Sequence, residues 1–180
     1  MSEKYQPHIR TIEDFPSEGI LFYDISPLLG NAEAFKDLIH DMSEPLRGQI
    51  DKVVGFDARG FLFAGAIATE LEIGTALLRK AGKLPGEVFE ASYDLEYGTN
   101  TLAIQADALQ PNERVLLVDD VIATGGTALA GIELVRRSGA EVVEFLSVVD
   151  LPDLGGSRRI IDAGVAVRAM VSFGGDDGKV

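Results

Sequence analysis

The chain has 180 residues, about one domain, with 46% apolar and 25% charged content, which excludes a disordered chain. Its 16 Lys+Arg against 29 Asp+Glu leave a net charge of −13, which argues against a general nucleic-acid surface and, at first sight, against a polyanionic substrate. It has no Cys, which excludes a disulfide frame, thiolate chemistry and a cysteine-ligated metal.

In chain order, Asn31 followed by Phe35, Leu38, Ile39, Met42 and Leu46 has the spacing of an amphipathic helix with an N-cap. Val53–Phe56 reads as a buried strand, Arg59–Leu71 as a helix of small residues and Thr75–Leu78 as a second strand. Lys80–Glu87, with Gly82, Pro85 and Gly86, reads as a loop, and the stretch from Lys80 to Gly98 as a segment able to move. Thr99–Ala106 alternates apolar and polar residues, the mark of a half-exposed strand. Val115–Val118 is an apolar strand ending in two acids, and Gly125–Ser138 is a helix closed by Gly139. Val142–Val149 predicts a strand, Leu154–Ile161 a helix and Val165–Val171 a last strand. Alternating strands and helices with near-continuous apolar strands imply one α/β domain over residues 1–180, with a central, mainly parallel sheet flanked by helices. Ligands in such folds bind at the carboxyl ends of strands, where the strand order reverses. Met1–Arg10 lacks the apolar core of a signal peptide, and Phe61–Ala68, the longest strongly apolar stretch, is far short of the ~20 residues of a membrane helix. A cytoplasmic protein with no membrane partner is expected.

The richest segment runs Val115-Leu116-Leu117-Val118-Asp119-Asp120-Val121-Ile122-Ala123-Thr124-Gly125-Gly126-Thr127. A buried strand leads into two carboxylates, then a small-residue turn, then a helix. Backbone N–H groups of Ala123–Thr127 can close around a phosphate, with the helix start behind them and the Thr124 and Thr127 hydroxyls beside them. Asp119 and Asp120 repel phosphate but accept from hydroxyls, so a sugar phosphate suits both halves. No Gly-x-Gly-x-x-Gly or Gly-x4-Gly-Lys string competes.

This string resembles the phosphoribosyl-diphosphate (PRPP) motif of the type I phosphoribosyltransferases. Four more segments, Gly19–Leu29, Asp57-Ala58-Arg59-Gly60-Phe61-Leu62-Phe63, Arg79–Pro85 and Ser92–Gly98, are similar to the adenine-specific branch of that family, in order over about residues 10 to 155. The resemblance implies the type I phosphoribosyltransferase fold, with a small N-terminal hood over about residues 1–30 and a mobile lid over about 80–98. It implies transfer from PRPP to adenine with Mg²⁺, held mainly by PRPP and water rather than by a protein cage, and a homodimer that binds no nucleic acid. It puts the ribose and 5-phosphate on Asp119, Asp120, Ala123, Thr124, Gly125, Gly126 and Thr127. Diphosphate falls to Asp57, Ala58, Arg59, Arg79, Lys80 and Lys83, the last from the neighbouring subunit. Adenine falls to Leu21, Phe22, Val121 and Leu151, with Arg59 and Glu96 as catalytic residues. Tyr23 stands where the family usually has Arg. A hypoxanthine/guanine or xanthine enzyme of the same fold is the first alternative. A non-catalytic PRPP-sensing regulator is a second, but no basic DNA-binding module precedes Val53.

Overall fold

The computed structural model describes residues 2–94 and 99–174. Its elements are α1 (Ser2–Tyr5), β1 (Arg10–Ile12), β2 (Phe22–Asp24), α2 (Ser26–Gly30), α3 (Ala32–Ser43), β3 (Lys52–Phe56), α4 (Gly60–Leu71), β4 (Gly74–Lys80), β5 (Val88–Asp94), β6 (Thr99–Gln105), β7 (Arg114–Ile122), α5 (Gly126–Arg137), β8 (Glu141–Asp150), α6 (Gly156–Asp162) and β9 (Ala166–Ser172). Seven strands form one sheet in the order β5-β6-β4-β3-β7-β8-β9, and β1 and β2 pair separately. From β4 to β9 neighbouring strands are parallel, while β5 and β6 form an antiparallel hairpin on the β4 edge. The chain winds from β3 through α4 to β4 on one side, and from β7 through β8 to β9 on the other. The winding therefore reverses between β3 and β7, which are direct neighbours.

Local signals account for most elements. The Asn31 side chain accepts from the Ala34 N–H at 3.1 Å and starts α3, whose Leu38, Ile39 and Met42 are buried. On one sheet face α3 and α4 cover Val53, Leu116, Val118 and Leu146; on the other, α5 and α6 cover Val54, Leu117 and Phe145. The helix α4 lies close on β3 because Gly55 has no side chain: a Cβ there would stand 2.7 Å from the Ala64 Cβ. The half-buried Arg168 of β9 pairs with Glu144 at 2.8 Å and donates to the Asp41 and Met42 carbonyls at 3.2 and 2.9 Å, tying the end of α3 to the sheet.

Two readings of the sequence are revised. The strand β7 does not stop at Val118 but runs to Ile122, because β8 continues beside it, with Asp119 opposite Ser147, Val121 opposite Val149 and Ile122 opposite Asp150. The two acids thus sit within the paired strand rather than at its end. The stretch 80–98 is not loop throughout. Val88–Asp94 is β5, paired with β6 residue by residue from Val88/Gln105 to Asp94/Thr99.

At the N-terminus β1 and β2 pair with Arg10 opposite Asp24. Asp24 accepts from Arg10 at 2.5 Å and from the Ser26 N–H at 2.8 Å, so one carboxylate fixes the strand pair and the start of α2. These bonds, those from Ser26 first and then that from Arg10, hold Asp24 down at about 2. Tyr23 stacks on Phe173 with ring centres 4.4 Å apart, joining this small sheet to the end of β9.

Candidate active site

A cavity of about 310 Å³ opens at the carboxyl ends of β3 and β7, where the winding reverses. One wall is the turn Asp57-Ala58-Arg59 between β3 and α4, joined by Lys80 from the end of β4. The Asp57–Ala58 peptide in that turn is cis. The other wall is the continuous run Asp119–Ala128, and Tyr93, Leu102 and Phe145 close the floor.

Ion pairs hold both of the arginines predicted for this site. The Arg59 Nε donates to Asp120 Oδ2 at 2.5 Å across the gap between the two strand ends. The Arg79 Nε donates to Asp57 Oδ2 at 3.1 Å, and its Nη1 donates to the Lys83 carbonyl at 3.1 Å. Asp119 is held differently. Its Oδ1 accepts from the Asp120 N–H at 2.8 Å, and no arginine pairs with it among the described residues. Burial first, and the neighbouring Asp120 carboxylate second, push Asp119 well above the ordinary carboxylate range. One of two adjacent acids is therefore paired with an arginine, while the other, unpaired, holds its proton more readily.

Beyond Ile122 the chain turns into α5. Gly125 stands at φ +80°, a conformation that a residue with a side chain rarely adopts, and no side chain caps the helix. The first amides of α5 are thus left without a side-chain acceptor, beside the positive end of the helix dipole. The turn is backed by α6: the Ala123 carbonyl accepts from the Gly156 N–H at 3.0 Å, and the Thr124 carbonyl from Arg159 Nη1 at 2.6 Å. Such a surface can receive an anion on free backbone amides and can offer two carboxylates to hydroxyls.

A second cavity, about 360 Å³, lies under the N-terminal sheet, lined by Ile12, Phe15, Phe22, Tyr23, Asp24, Ile25, Ser26 and Arg59. The rings of Phe15 and Phe22 meet edge to face at 5.1 Å. Its lining is mostly apolar and aromatic, which suits a flat ring, and Arg59 belongs to both cavities.

Of the residues predicted for the sugar, the 5-phosphate and the diphosphate, all but Arg79 and Lys83 line the first cavity. Arg79 is tied to its rim through Asp57, and Lys83 is exposed, meeting Arg79 only through its carbonyl. Of the base residues, Phe22 lines the second cavity and Val121 the first. Leu21 lines neither, and Leu151 is half-buried with its N–H on the Ile122 carbonyl at 2.9 Å. Glu96 lies outside the described residues. Tyr93, Leu102 and Phe145, and Ile12 and Phe15 of the second cavity, are lining residues the sequence reading missed. The alternation Phe89-Glu90-Ala91-Ser92-Tyr93-Asp94 is a strand signal that points to Tyr93. Among the described residues no three or more His, Asp or Glu side chains converge as a metal site.

Residues 28–169 match the family model of the phosphoribosyl transferase domain. A Ruegeria pomeroyi protein named adenine phosphoribosyltransferase is 49% identical over 175 residues, covering 97% of this chain and 98% of its own. Of solved structures, the adenine phosphoribosyltransferase of Rhodothermus marinus superposes with a TM-score of 0.89 at 45% identity, covering 95% of this chain and 97% of that one. That of Saccharomyces cerevisiae, complexed with an imino-altritol bisphosphate and adenine, does so with a TM-score of 0.89 at 38% identity, covering 94% and 98%. Fold, cavity and relatives agree that the chain belongs to the adenine phosphoribosyltransferases of the phosphoribosyltransferase family.

Proposed function

We propose that the chain transfers the 5-phosphoribosyl group of PRPP to N9 of adenine, giving AMP and diphosphate, a step of purine salvage. The observation that carries this is the junction of two unlike cavities at Arg59: one with a carboxylate pair and an amide-rich turn, the other apolar and aromatic. A sugar phosphate suits the first and a planar base the second, and the two meet where the new bond would form.

In this reading Asp119 and Asp120 accept from the ribose hydroxyls, and the turn Ala123–Thr127 donates to the 5-phosphate. The bond from the anomeric carbon to the diphosphate oxygen breaks ahead of formation of the bond to N9, so positive charge develops on the sugar. Arg59, Lys80, Arg79 and Lys83, with the Asp57–Ala58 turn, receive the negative charge that leaves with the diphosphate. Arg59 gives up its bond to Asp120 when the ribose hydroxyls take that carboxylate, which turns its guanidinium toward diphosphate and base. The imidazole ring of adenine loses a proton as N9 attacks, and Glu96 is the acceptor proposed for it. The base lies between Leu21–Phe22 of the hood and Val121 and Leu151, and the segment 80–98 acts as a lid that excludes water.

The donor set fits Mg²⁺ carried on the substrate. Asp57, Asp119 and Asp120 are carboxylates at one cavity rather than a converged cage, and Mg²⁺ commonly keeps water and phosphate oxygens with one or two carboxylates. When bound, it neutralises the diphosphate and makes it a better leaving group. The proposal includes a cytoplasmic homodimer in which Lys83 reaches the neighbouring subunit's site. Leu62 and Leu77, 51% and 40% exposed, offer apolar surface for the subunit contact.

The test is turnover of PRPP with Mg²⁺ and each of adenine, hypoxanthine, guanine and xanthine. AMP formation from adenine is expected. Turnover with an oxopurine alone would refute the base assignment, and no turnover with any base would refute the catalytic reading.

A further inference from the structure

The turn Ala123–Thr127 receives phosphate only if its amides face the cavity, and its carbonyls must then be satisfied elsewhere. The Gly125 carbonyl takes the Leu129 N–H of α5 at 3.0 Å, and the partners of the two carbonyls before it come from α6, more than thirty residues later in the chain. The Gly156 N–H holds the Ala123 carbonyl at 3.0 Å, and Arg159 Nη1 holds the Thr124 carbonyl at 2.6 Å. Arg159 does not line the cavity, its own N–H is spent on the Gly155 carbonyl at 3.1 Å, and its side chain bonds no acid among the described residues. The adjacent Arg158, by contrast, is committed to Asp162 at 3.0 Å on the surface.

A carbonyl and the N–H of the same peptide form one polarisable unit. In the trans peptide Thr124–Gly125, the Gly125 N–H points opposite to the Thr124 carbonyl and hence away from Arg159. A cation on the oxygen of that peptide draws electrons from its nitrogen and strengthens the N–H as a donor. It also holds the peptide against a flip that would turn a carbonyl oxygen toward a phosphate. This cation bonds no acid of the site, whereas Arg59 and Arg79 each do.

We propose that Arg159 is a positioning residue for the 5-phosphate, acting from behind the turn through the Thr124–Gly125 peptide. The inference rests on the catalytic reading above and adds a residue to it. It gives the phosphate turn its own positive charge without placing a guanidinium in the cavity.

The test compares Arg159→Gln, Arg159→Lys and the control Arg158→Gln with the unaltered chain. Steady-state kinetics are combined with inhibition by ribose 5-phosphate, which needs the turn, and by diphosphate, which does not. For Arg159→Gln, the KM for PRPP and the inhibition constant for ribose 5-phosphate are expected to rise about tenfold together, about 1.4 kcal/mol. The KM for adenine, the diphosphate inhibition constant and kcat stay within about twofold. Arg159→Lys, which keeps the cation, recovers most of the loss, and Arg158→Gln changes nothing. An unaltered PRPP KM in Arg159→Gln, an equal rise in all the constants, or a Lys variant as impaired as the Gln variant overturns the inference. If the unaltered chain turns over PRPP and Arg159→Gln matches it, this inference alone fails. If the unaltered chain has no turnover, the catalytic reading fails first.

Discussion

Replacing Gly156 by Ala tests the brace behind the phosphate turn by steric means. A Cβ at this position would stand 2.2 Å from the Ala123 carbonyl oxygen and 2.7 Å from the Gly125 nitrogen, where ordinary contact begins at 3.4 Å. Both atoms are backbone, so no side chain can swing aside, and α6 and the turn must separate by roughly 1 Å. A hydrogen bond to phosphate of ordinary length does not survive a retreat of that size. Misplacement on this scale costs about 100-fold, so the PRPP KM of Gly156→Ala is expected to rise about 30- to 100-fold. The adenine KM should stay within about twofold, because Gly156 is no part of the second cavity. Stability provides an independent sign. In a helix Ala is favoured over Gly by up to ~1 kcal/mol, so an unobstructed site would gain. The overlap instead predicts a loss of about 1–3 kcal/mol, a fall in Tm of about 2–12 °C. Steady-state kinetics with each substrate varied in turn, and a thermal melt of the ligand-free protein, measure both effects. A variant that melts no lower than the parent and keeps its PRPP KM would show that the turn is not seated on α6 in this way.

Three other perturbations probe separate parts of the molecule. Asp119 holds its proton more readily in the folded chain than in the unfolded one, so the folded state loses stability as pH rises above the unfolded value near 4. Asp119→Asn keeps the Oδ1 acceptor for the Asp120 N–H and removes this loss. Its ligand-free Tm should exceed the parent's at pH 7.5, the gap should close toward pH 4, and PRPP turnover should collapse. Parallel melting curves across that range would count against the assignment. Phe22→Ala removes a ring from the second cavity, and the adenine KM should rise about tenfold, roughly the 1–2 kcal/mol of a half-buried ring, with little change for PRPP. Equal rises for both substrates would separate that cavity from the base. Arg168→Ala strands Glu144 and uncovers two carbonyls at the end of α3, which should cost about 3 kcal/mol and lower Tm by about 6–12 °C while leaving both KM values alone. A drop in Tm of under about 2 °C would be inconsistent with this half-buried pair.

The features legible in the sequence were those encoded within a few residues. The Asn31 cap, the apolar strand before Asp119 and the small turn that follows each announce themselves locally, and together they locate the first cavity. Asp57–Arg59 was legible as a strand-to-helix turn, although nothing local says that Arg59 crosses to Asp120. What escaped was set by partners distant in sequence. The continuation of β7 through two acids depends on β8 running alongside. The seating of the turn on Gly156 and Arg159 joins segments whose contact no local pattern reveals. In β5 the alternation of Phe89, Ala91 and Tyr93 with polar residues was present, but the Gly and Pro residues before it drew the whole stretch into a loop. The second cavity arises from the fold of β1 over β2, two strands too short for periodicity to register.

The pairing of Arg59 with Asp120 and of Arg79 with Asp57 has a consequence for what the site ignores. A bare guanidinium would attract any small anion of the surrounding solution and spend much of its time occupied. Here a lone phosphate or chloride meets arginines that already have carboxylates, and to take one it must leave an acid without a partner. A ligand that carries both hydroxyls and phosphates escapes that penalty, since its hydroxyls satisfy Asp120 as its phosphates claim Arg59. The paired charges thus act as a conjunction: the site favours a molecule that bears both groups at the right separation over one that bears either group alone. A strongly acidic chain can in this way keep its arginines available amid an excess of simpler anions.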